Sequence, residues 1–165
     1  MGVSGCGKST VGALLAGRLG VPFIDADSLH PAANVARMSA GIALTDSDRR
    51  PWLDAVGRAL AAAPDGAVVA CSALRRCYRD AIREHAPDAV FAHLHGPREV
   101  LARRLAARLD HFMPAALLDS QLATLEPLEP GESGVTLNLK LSASELADAA
   151  AATVLAINGR TRSRT

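Results

Sequence analysis

Gly2-Val3-Ser4-Gly5-Cys6-Gly7-Lys8-Ser9-Thr10 is the stretch that decides the fold, and it contains the phosphate-binding pattern G-x-x-x-x-G-K-[ST]. Glycines let consecutive backbone N–H groups curl around an anion, because they have no Cβ that could clash. Lys8 then offers a mobile cation for the β- and γ-phosphates, and Ser9 offers a hydroxyl for Mg²⁺. A helix that opens near Lys8 directs its positive dipole end at the same charge. The stretch therefore predicts binding of a nucleoside triphosphate with Mg²⁺, and all nine residues are predicted to line the nucleotide site.

Only Met1 precedes this loop in the sequence. Such a loop normally follows the C-terminal end of a buried strand, which positions it against the sheet. We therefore expect the first strand of the fold to be missing from this chain, through a truncated start, because the sequence downstream reads as intact. The neighbouring strands would then lose hydrogen bonds, and the phosphate loop would be poorly anchored.

Length and composition indicate one soluble globular domain that spans residues 1–165. Hydrophobic residues make up 49% of the chain and charged residues 21%, as in ordinary globular proteins. A formal charge of +1 argues against a dedicated nucleic-acid surface, and no apolar run is long enough for a membrane span. The three cysteines form neither C-x-x-C pairs nor an even set, which favours reduced thiols and a cytoplasmic location.

The apolar pattern downstream of the loop alternates between helices and short buried strands. Helices are predicted at 8–19, 51–63, 75–85, 99–109 and 115–125, and strands at 21–24, 67–71, 89–94 and 135–139. Pro51 suits a first helical turn, and Ser142 with Glu145 forms a capping box that starts a last helix. Residues 126–134 are predicted to form a loop. This order predicts an α/β fold with a parallel sheet flanked by helices on both faces.

Two acids follow the first predicted strand after the loop. In open α/β folds ligands gather at the carboxyl ends of the strands, so Asp25 and Asp27 should face the phosphate loop. Asp25 could hold the metal's water shell, and Asp27 could orient an acceptor hydroxyl and take its proton. The alternative is a polar turn with no catalytic role.

Residues 28–63 are predicted to form the helical segment that binds the acceptor, because hydrogen-bonding side chains are dense before Trp52. An acceptor carboxylate would favour a guanidinium, which can bind it through two hydrogen bonds. Ser72 and Arg75, which follow the next predicted strand, should lie across from the phosphate loop and could touch the acceptor. Solvated surface charge is the competing explanation for each arginine alone.

Arg104 and Arg108 are spaced i, i+4 on one predicted helix and lead into His111-Phe112-Met113. Small-molecule kinases close a mobile segment over the phosphoryl group and add positive charge there. We therefore predict a lid over residues 104–125, with a solvated basic stripe as the alternative. No aspartate ends the strand at 67–71, and no [NT]-K-x-D motif occurs, which argues against motor-type NTPases and guanine-nucleotide switches.

The chain resembles the small P-loop gluconokinases, which are related to the shikimate kinases. The resemblance spans residues 2–157, and its most selective segments are Asp48-Arg49-Arg50-Pro51-Trp52 and His111-Phe112-Met113. Further segments that carry it are Asp27-Ser28-Leu29-His30-Pro31, Cys71-Ser72-Ala73-Leu74 with Tyr78-Arg79, and Ser120-Gln121 with Thr124-Leu125-Glu126-Pro127.

The resemblance implies a fold like that of nucleoside monophosphate kinases and phosphorylation of D-gluconate by ATP with Mg²⁺. It implies that Lys8 and Ser9 serve the phosphates and the metal, and that Asp27 serves the acceptor hydroxyl. It also implies that His30 and Arg49, rather than Arg50, bind the polyol acid. Arg104 and Arg108 would belong to the lid, with Arg108 taking part in catalysis. Such enzymes often dimerise, so the resemblance allows a homodimer.

Two other functions stay open at the level of the sequence. One is a different small-molecule kinase of the same fold, such as a shikimate-type enzyme. The other is a nucleotide-binding protein without catalysis, whose site the missing strand has damaged.

Overall fold

The structure is a computed structural model, and it describes residues 1–107 and 115–162. Within these residues the helices are α1 (Lys8–Leu19), α2 (Ala32–Ser39), α3 (Asp46–Ala61), α4 (Arg76–His85), α5 (Arg98–Ala106), α6 (Ala115–Thr124) and α7 (Ala143–Arg162). The strands are β1 (Phe23–Asp25), β2 (Val68–Ala70), β3 (Phe91–His95) and β4 (Gly134–Asn138), and a 3-10 helix (Ala26–Leu29) follows β1. The alternation of strands and helices confirms the predicted α/β class.

The strands form two parallel pairs. β1 lies beside β2 with Asp25 opposite Ala70, and β3 lies beside β4 with His95 opposite Asn138. The carboxyl ends of the strands therefore bring the segments after β1 and β2 to the same edge. This is the edge at which ligands gather in parallel sheets.

Met1 and Gly2 occupy the space between the two pairs. The N-terminal ammonium of Met1 donates to Ala92 O at 2.5 Å, and Met1 O accepts from Leu94 N at 3.0 Å. On the other side, Gly2 N donates to Ser72 O at 3.1 Å. As predicted, the elements of the described chain begin with α1 rather than a strand. The expectation of a poorly anchored phosphate loop is wrong, because backbone hydrogen bonds hold its first residues on both sides.

Several element boundaries follow their local signals. α1 has the predicted limits and ends at Gly20, whose φ of 68° is favoured by glycine. The predicted capping box before α7 is present, since Glu145 N donates to Ser142 Oγ at 3.3 Å and Ser142 N donates to Glu145 Oε2 at 2.8 Å. β1 begins at Phe23, two residues later than predicted.

The predicted start of the helix at Pro51 is wrong, because α3 begins at Asp46. Thr45 and Asp48 form a capping box there, in which Thr45 N donates to Asp48 Oδ2 at 2.8 Å. Two satisfied N-terminal donors stabilise the earlier start. Pro51 then lies inside the helix, at the cost of one backbone hydrogen bond.

The core is mainly aliphatic and lies in two clusters of buried side chains. One cluster packs α1 and α7 over β3 and β4, and the other packs α3 against α4 beside β2. The few aromatics include Trp52 and Phe91, both buried in the second cluster. None of the helices in residues 1–107 and 115–162 has the length and apolarity needed to cross a membrane.

Candidate active site

The phosphate loop, residues 2–7, leads from between the two strand pairs into α1. Gly5 and Gly7 have φ of 80° and 90°, conformations that favour glycine. A Cβ on Gly5 would lie 2.8 Å from Leu105 Cγ and 3.0 Å from Leu101 O, so this position also lacks room for a side chain. The loop thus packs closely against α5.

Lys8 is the first residue of α1, and its side chain folds back over the loop. Its Nζ donates to Gly2 O at 3.0 Å and to Val3 O at 3.2 Å. A cation, the loop amides and the N-terminal end of a helix therefore meet at one place. Together they form a site suited to an anion.

Ser9 and Asp25 come together beside the loop. Ser9 Oγ donates to Asp25 Oδ2 at 3.2 Å, and Asp25 Oδ1 accepts from Asp27 N at 3.1 Å. A hydroxyl and a carboxylate are oxygen ligands of the kind Mg²⁺ takes, usually with water and substrate phosphates completing its shell. Residues 1–107 and 115–162 hold no group of three or more His, Cys, Asp or Glu placed for a metal. The pair therefore fits an ion that is shared with phosphates better than an ion held by protein alone.

A cavity of about 260 Å³ adjoins the loop. It is lined by Gly5, Cys6, Gly7, Thr10, Val11, Arg104, Ala143 and Leu146. The Arg104 guanidinium, one of the predicted nucleotide contacts, reaches across to donate to Leu139 O at 3.4 Å. The cavity thus joins the phosphate loop to an open side where the rest of a nucleotide could lie.

Asp27 and His30 follow β1, shortly after Asp25 in the chain. The His30 ring stacks on Trp52 with 4.3 Å between ring centroids, and Trp52 Nε1 donates to Ala26 O at 2.7 Å. Burial is the main cause that lowers the pKa of His30, while Asp27 raises it and Arg49 lowers it. Asp27 and Arg49 therefore both act on the same imidazole. His30 Nδ1 is buried and has no hydrogen-bond partner among the described residues.

Arg49 and Arg75 meet at a shared carboxylate and phenol. Asp46 accepts from Tyr78 Oη at 2.5 Å and from the Arg75 guanidinium at 2.5 Å, and Arg49 lies 3.7 Å from the same carboxylate. Arg49 also donates to Tyr78 Oη at 3.4 Å. The Tyr78 hydrogen bond, followed by the charges of Arg75 and Arg49, lowers the pKa of Asp46. We call Asp46, Arg49, Arg75 and Tyr78 the acceptor cluster.

The remaining residues considered for the site lie outside the acceptor cluster. Ser72 lies against the loop through its carbonyl, which accepts from Gly2 N. Arg50 points away from the acceptor cluster and pairs with Asp54 at 3.0 Å and with Glu84. Arg108 and His111-Phe112-Met113 lie outside the described residues.

A buried ion pair supports the segment after β2. The side chains of Arg79 and Glu132 are both 0% exposed, and two Arg79 nitrogens donate to Glu132 at 2.7 and 2.8 Å. Arg79 also donates to the carbonyls of Leu74 at 3.4 Å and Glu126 at 3.0 Å. Arg79 thus joins α4, the exit of β2 and the loop before β4.

The sequence did not single out three residues that the structure brings to the site. Asp46 and Tyr78 complete the acceptor cluster, and Gln121 accepts a hydrogen bond from the loop amide of Ser4 at 2.7 Å. Tyr78 and Gln121 lie in segments that carry the family resemblance, and Asp46 lies in the predicted acceptor segment 28–63. Their partners are 32 and 117 residues away in the chain, so no local pattern marks them.

Comparisons with known proteins show which family the chain belongs to. The family model described as "Shikimate kinase" matches residues 4–127. A gluconokinase from Gluconobacter oxydans (strain 621H) is 52% identical over 129 residues, which cover 76% of this chain and 72% of the relative. The thermosensitive gluconokinase of Escherichia coli (strain K12) is 42% identical over 138 residues, with 82% and 74% covered.

Solved structures give the same result in three dimensions. The crystal structure of a gluconokinase from Sinorhizobium meliloti 1021 superposes with a TM-score of 0.87 and 44% identity, over 100% of this chain and 94% of that one. The phosphate loop, the paired acids after β1 and the acceptor cluster thus stand in a chain similar to these enzymes along most of its length. The chain belongs to the shikimate kinase family and, within it, to the gluconokinases.

Proposed function

We propose that this protein transfers the terminal phosphoryl group of ATP to D-gluconate, giving 6-phospho-D-gluconate and ADP. Relatives that carry the name gluconokinase match it over most of both chains. Within the structure, the observation that carries the proposal is the position of Asp27. Its backbone N–H donates to Asp25, which accepts from Ser9 beside the phosphate loop, and its carboxylate raises the pKa of His30.

On the nucleotide side, the loop amides and Lys8 bind the phosphates, and Arg104 contacts the nucleotide in the adjoining cavity. Ser9 and Asp25 would hold Mg²⁺, which supplies positive charge to the phosphates. Lys8 would exchange its two loop carbonyls for phosphate oxygens. Its charge then stabilises the negative charge that develops as the terminal phosphoryl group is transferred.

On the acceptor side, Asp27 accepts the proton of the sugar's terminal hydroxyl as that oxygen bonds to phosphorus. The bond from phosphorus to the bridging oxygen breaks, and ADP leaves. Arg49 and Arg75 bind the gluconate carboxylate, and His30 and Ser72 contact the polyol. Arg108, outside the described residues, keeps its predicted catalytic role in this proposal.

Three further points belong to the same proposal. Residues 28–63 form the acceptor segment, and residues 104–125 form the lid of one domain. A cytoplasmic location accords with the free thiols of Cys6, Cys71 and Cys77 and with ATP as the donor. The homodimer stays a prediction.

The test is acceptor-dependent ADP release, with D-gluconate and shikimate compared as acceptors. We expect turnover with gluconate and little with shikimate. Asp27→Asn should lower kcat by about 10²- to 10⁴-fold, the usual contribution of a general base, while the affinity for ATP stays unchanged. Asp88→Asn, which changes an exposed carboxylate far from the loop in sequence, is the matched control and should retain full activity.

Each alternative has its own outcome. Faster turnover of shikimate would make the protein a shikimate-type kinase. Wild-type protein that binds ATP but releases no ADP with either acid would be a nucleotide-binding protein without this activity. Equal losses of turnover and ATP affinity in Asp27→Asn would assign Asp27 a structural role.

A further inference from the structure

The side-chain amide of Gln121 is a neutral hydrogen-bond acceptor that contacts the phosphate loop. Its Oε1 accepts from Ser4 N at 2.7 Å, and this N–H is one of the donors of the phosphate loop. Because Ser4 N can only donate, the amide oxygen must be the end that faces it. A side chain from α6 thus takes up one donor of an anion cradle.

The position of Gln121 is set by the fold. Next to it on α6, Leu118 is 1% exposed in the core, and Asp119 pairs with Arg98 of α5 at 2.6 and 2.9 Å. Just after α6, Glu126 N donates to Leu74 O at 2.8 Å. α6 is therefore attached on both sides of Gln121, and the contact with Ser4 follows from that attachment.

Ser4 lies toward the acceptor end of the loop. Gly5, Cys6 and Gly7 help to line the cavity on the nucleotide side. Gly2 N instead donates to Ser72 O, on the side proposed for the acceptor. A chain of phosphates that enters from the cavity reaches Gly5 and its neighbours first and Ser4 last. The third phosphoryl group of ATP, which ADP lacks, is then the group that meets Ser4 N.

We propose that Gln121 is a specificity-determining residue that competes with the terminal phosphoryl group of ATP for the Ser4 amide. A charged phosphate oxygen makes a stronger hydrogen bond than a neutral amide oxygen, so ATP displaces Gln121. ADP leaves the contact between α6 and the loop in place. Gln121 thereby lowers the affinity for the triphosphate relative to the diphosphate and couples α6 to the presence of the third phosphate.

The experiment measures the Kd of AMPPNP and of ADP, with Mg²⁺, by calorimetry on the full chain. Gln121→Met keeps the size of the side chain and removes the acceptor, so AMPPNP should bind about two- to tenfold tighter, the worth of one hydrogen bond, with ADP unchanged. Gln121→Glu adds a charged acceptor and should weaken AMPPNP more than ADP. The two variants predict shifts of opposite sign, so either alone tests the proposal if the other fails to fold.

Ser120→Ala is the control, because it changes an exposed side chain of α6 beside Gln121 and leaves the Gln121 amide in place. It should leave the ratio of the two Kd values unchanged. The proposal is overturned if Gln121→Met weakens AMPPNP binding, if it shifts the Kd values of AMPPNP and ADP equally, or if Ser120→Ala reproduces its effect. The inference rests on one part of the proposed function, namely that the protein binds ATP. If the variants show these Kd shifts while the wild type does not phosphorylate gluconate, only the acceptor assignment is overturned.

Discussion

Arg75 and Arg79 lie one helical turn apart at the start of α4, and each pairs with carboxylates, but their surroundings differ. The Arg75 side chain is 38% exposed and meets Asp46 in the acceptor cluster. The Arg79 side chain is 0% exposed and meets Glu132, whose side chain is also 0% exposed. The same residue type therefore serves two purposes within four positions.

Burial and saturation explain the difference. Arg79 donates to Glu132 and to carbonyls that include those of Ala73 and Pro127, so its guanidinium has little capacity left for a ligand. Arg75 shares an open carboxylate with Arg49 and Tyr78. We infer that Arg79 holds the fold together, whereas Arg75 is available to a substrate.

The largest effect that sharpens this comparison is expected from Arg79→Met. The change leaves the buried Glu132 carboxylate without its main partner, which should lower the free energy of unfolding by about 3–5 kcal/mol. Urea denaturation followed by circular dichroism measures it. Arg58→Met, on the exposed face of α3, is the control and should change stability by less than about 0.5 kcal/mol. Similar losses in both variants would contradict the structural role of Arg79.

The buried Arg79–Glu132 pair should also make the stability of the fold depend on pH. Hydrogen bonds from Arg79 are the main cause that lowers the pKa of Glu132 from 4.5 to about 2. Glu132 is therefore protonated at a lower pH in the folded state than in the unfolded state. The stabilisation is complete above pH 4.5 and is lost as the pH falls toward about 2.

We therefore expect the free energy of unfolding to fall more steeply between pH 4.5 and pH 3 in the wild type than in Glu132→Gln, whose side chain does not titrate. Urea titrations at several pH values compare the two slopes. Parallel slopes would show that Glu132 does not contribute to acid sensitivity.

The smallest effects are expected from a matched pair of neighbours, Arg49→Ala and Arg50→Ala. Loss of Arg49 from the acceptor cluster should reduce kcat/KM for gluconate by about 10- to 100-fold, mainly through KM, as for a hydrogen bond to a charged group. Arg50 pairs with half-buried Asp54 and exposed Glu84, away from the acceptor cluster, so its loss should change kcat/KM less than about twofold. Steady-state kinetics with gluconate at saturating ATP separate the two. A larger loss for Arg50 would move the acceptor site to the other face of α3.

Elements with strong local signals agreed well with prediction. The limits of α1 and the capping box of α7 were predicted correctly, because periodicity and capping depend on residues within one or two turns. α2 lies within the predicted helical segment 28–63 but its limits were not predicted, and it is a short helix that starts after Pro31 without a side-chain cap. Its one buried polar side chain, Asn34, donates to Asp48 O at 2.8 Å, a contact that exists only once α3 has packed nearby.

The candidate site also contains features that the sequence predicted and features that depend on contacts between distant elements. The proximity of Ser9 and Asp25 accords with the rule that strand ends face the phosphate loop. The sharing of Asp46 between Arg75 and Tyr78 had no local signal, since these residues lie 29 and 32 positions from it. Roles for these residues stay predictions until the variants are measured.

The linear order of residues was enough to define the phosphate-binding loop, because such a loop depends on consecutive backbone groups. It was also enough to define the α/β class, because the apolar patterns of strands and helices alternate along the chain. Which arginine is buried, which one joins the acceptor cluster and whether Gln121 reaches Ser4 depended on packing. Those outcomes are set by contacts between elements that are distant in the chain, and such contacts form only when α3, α4 and α6 take their places around the strand ends.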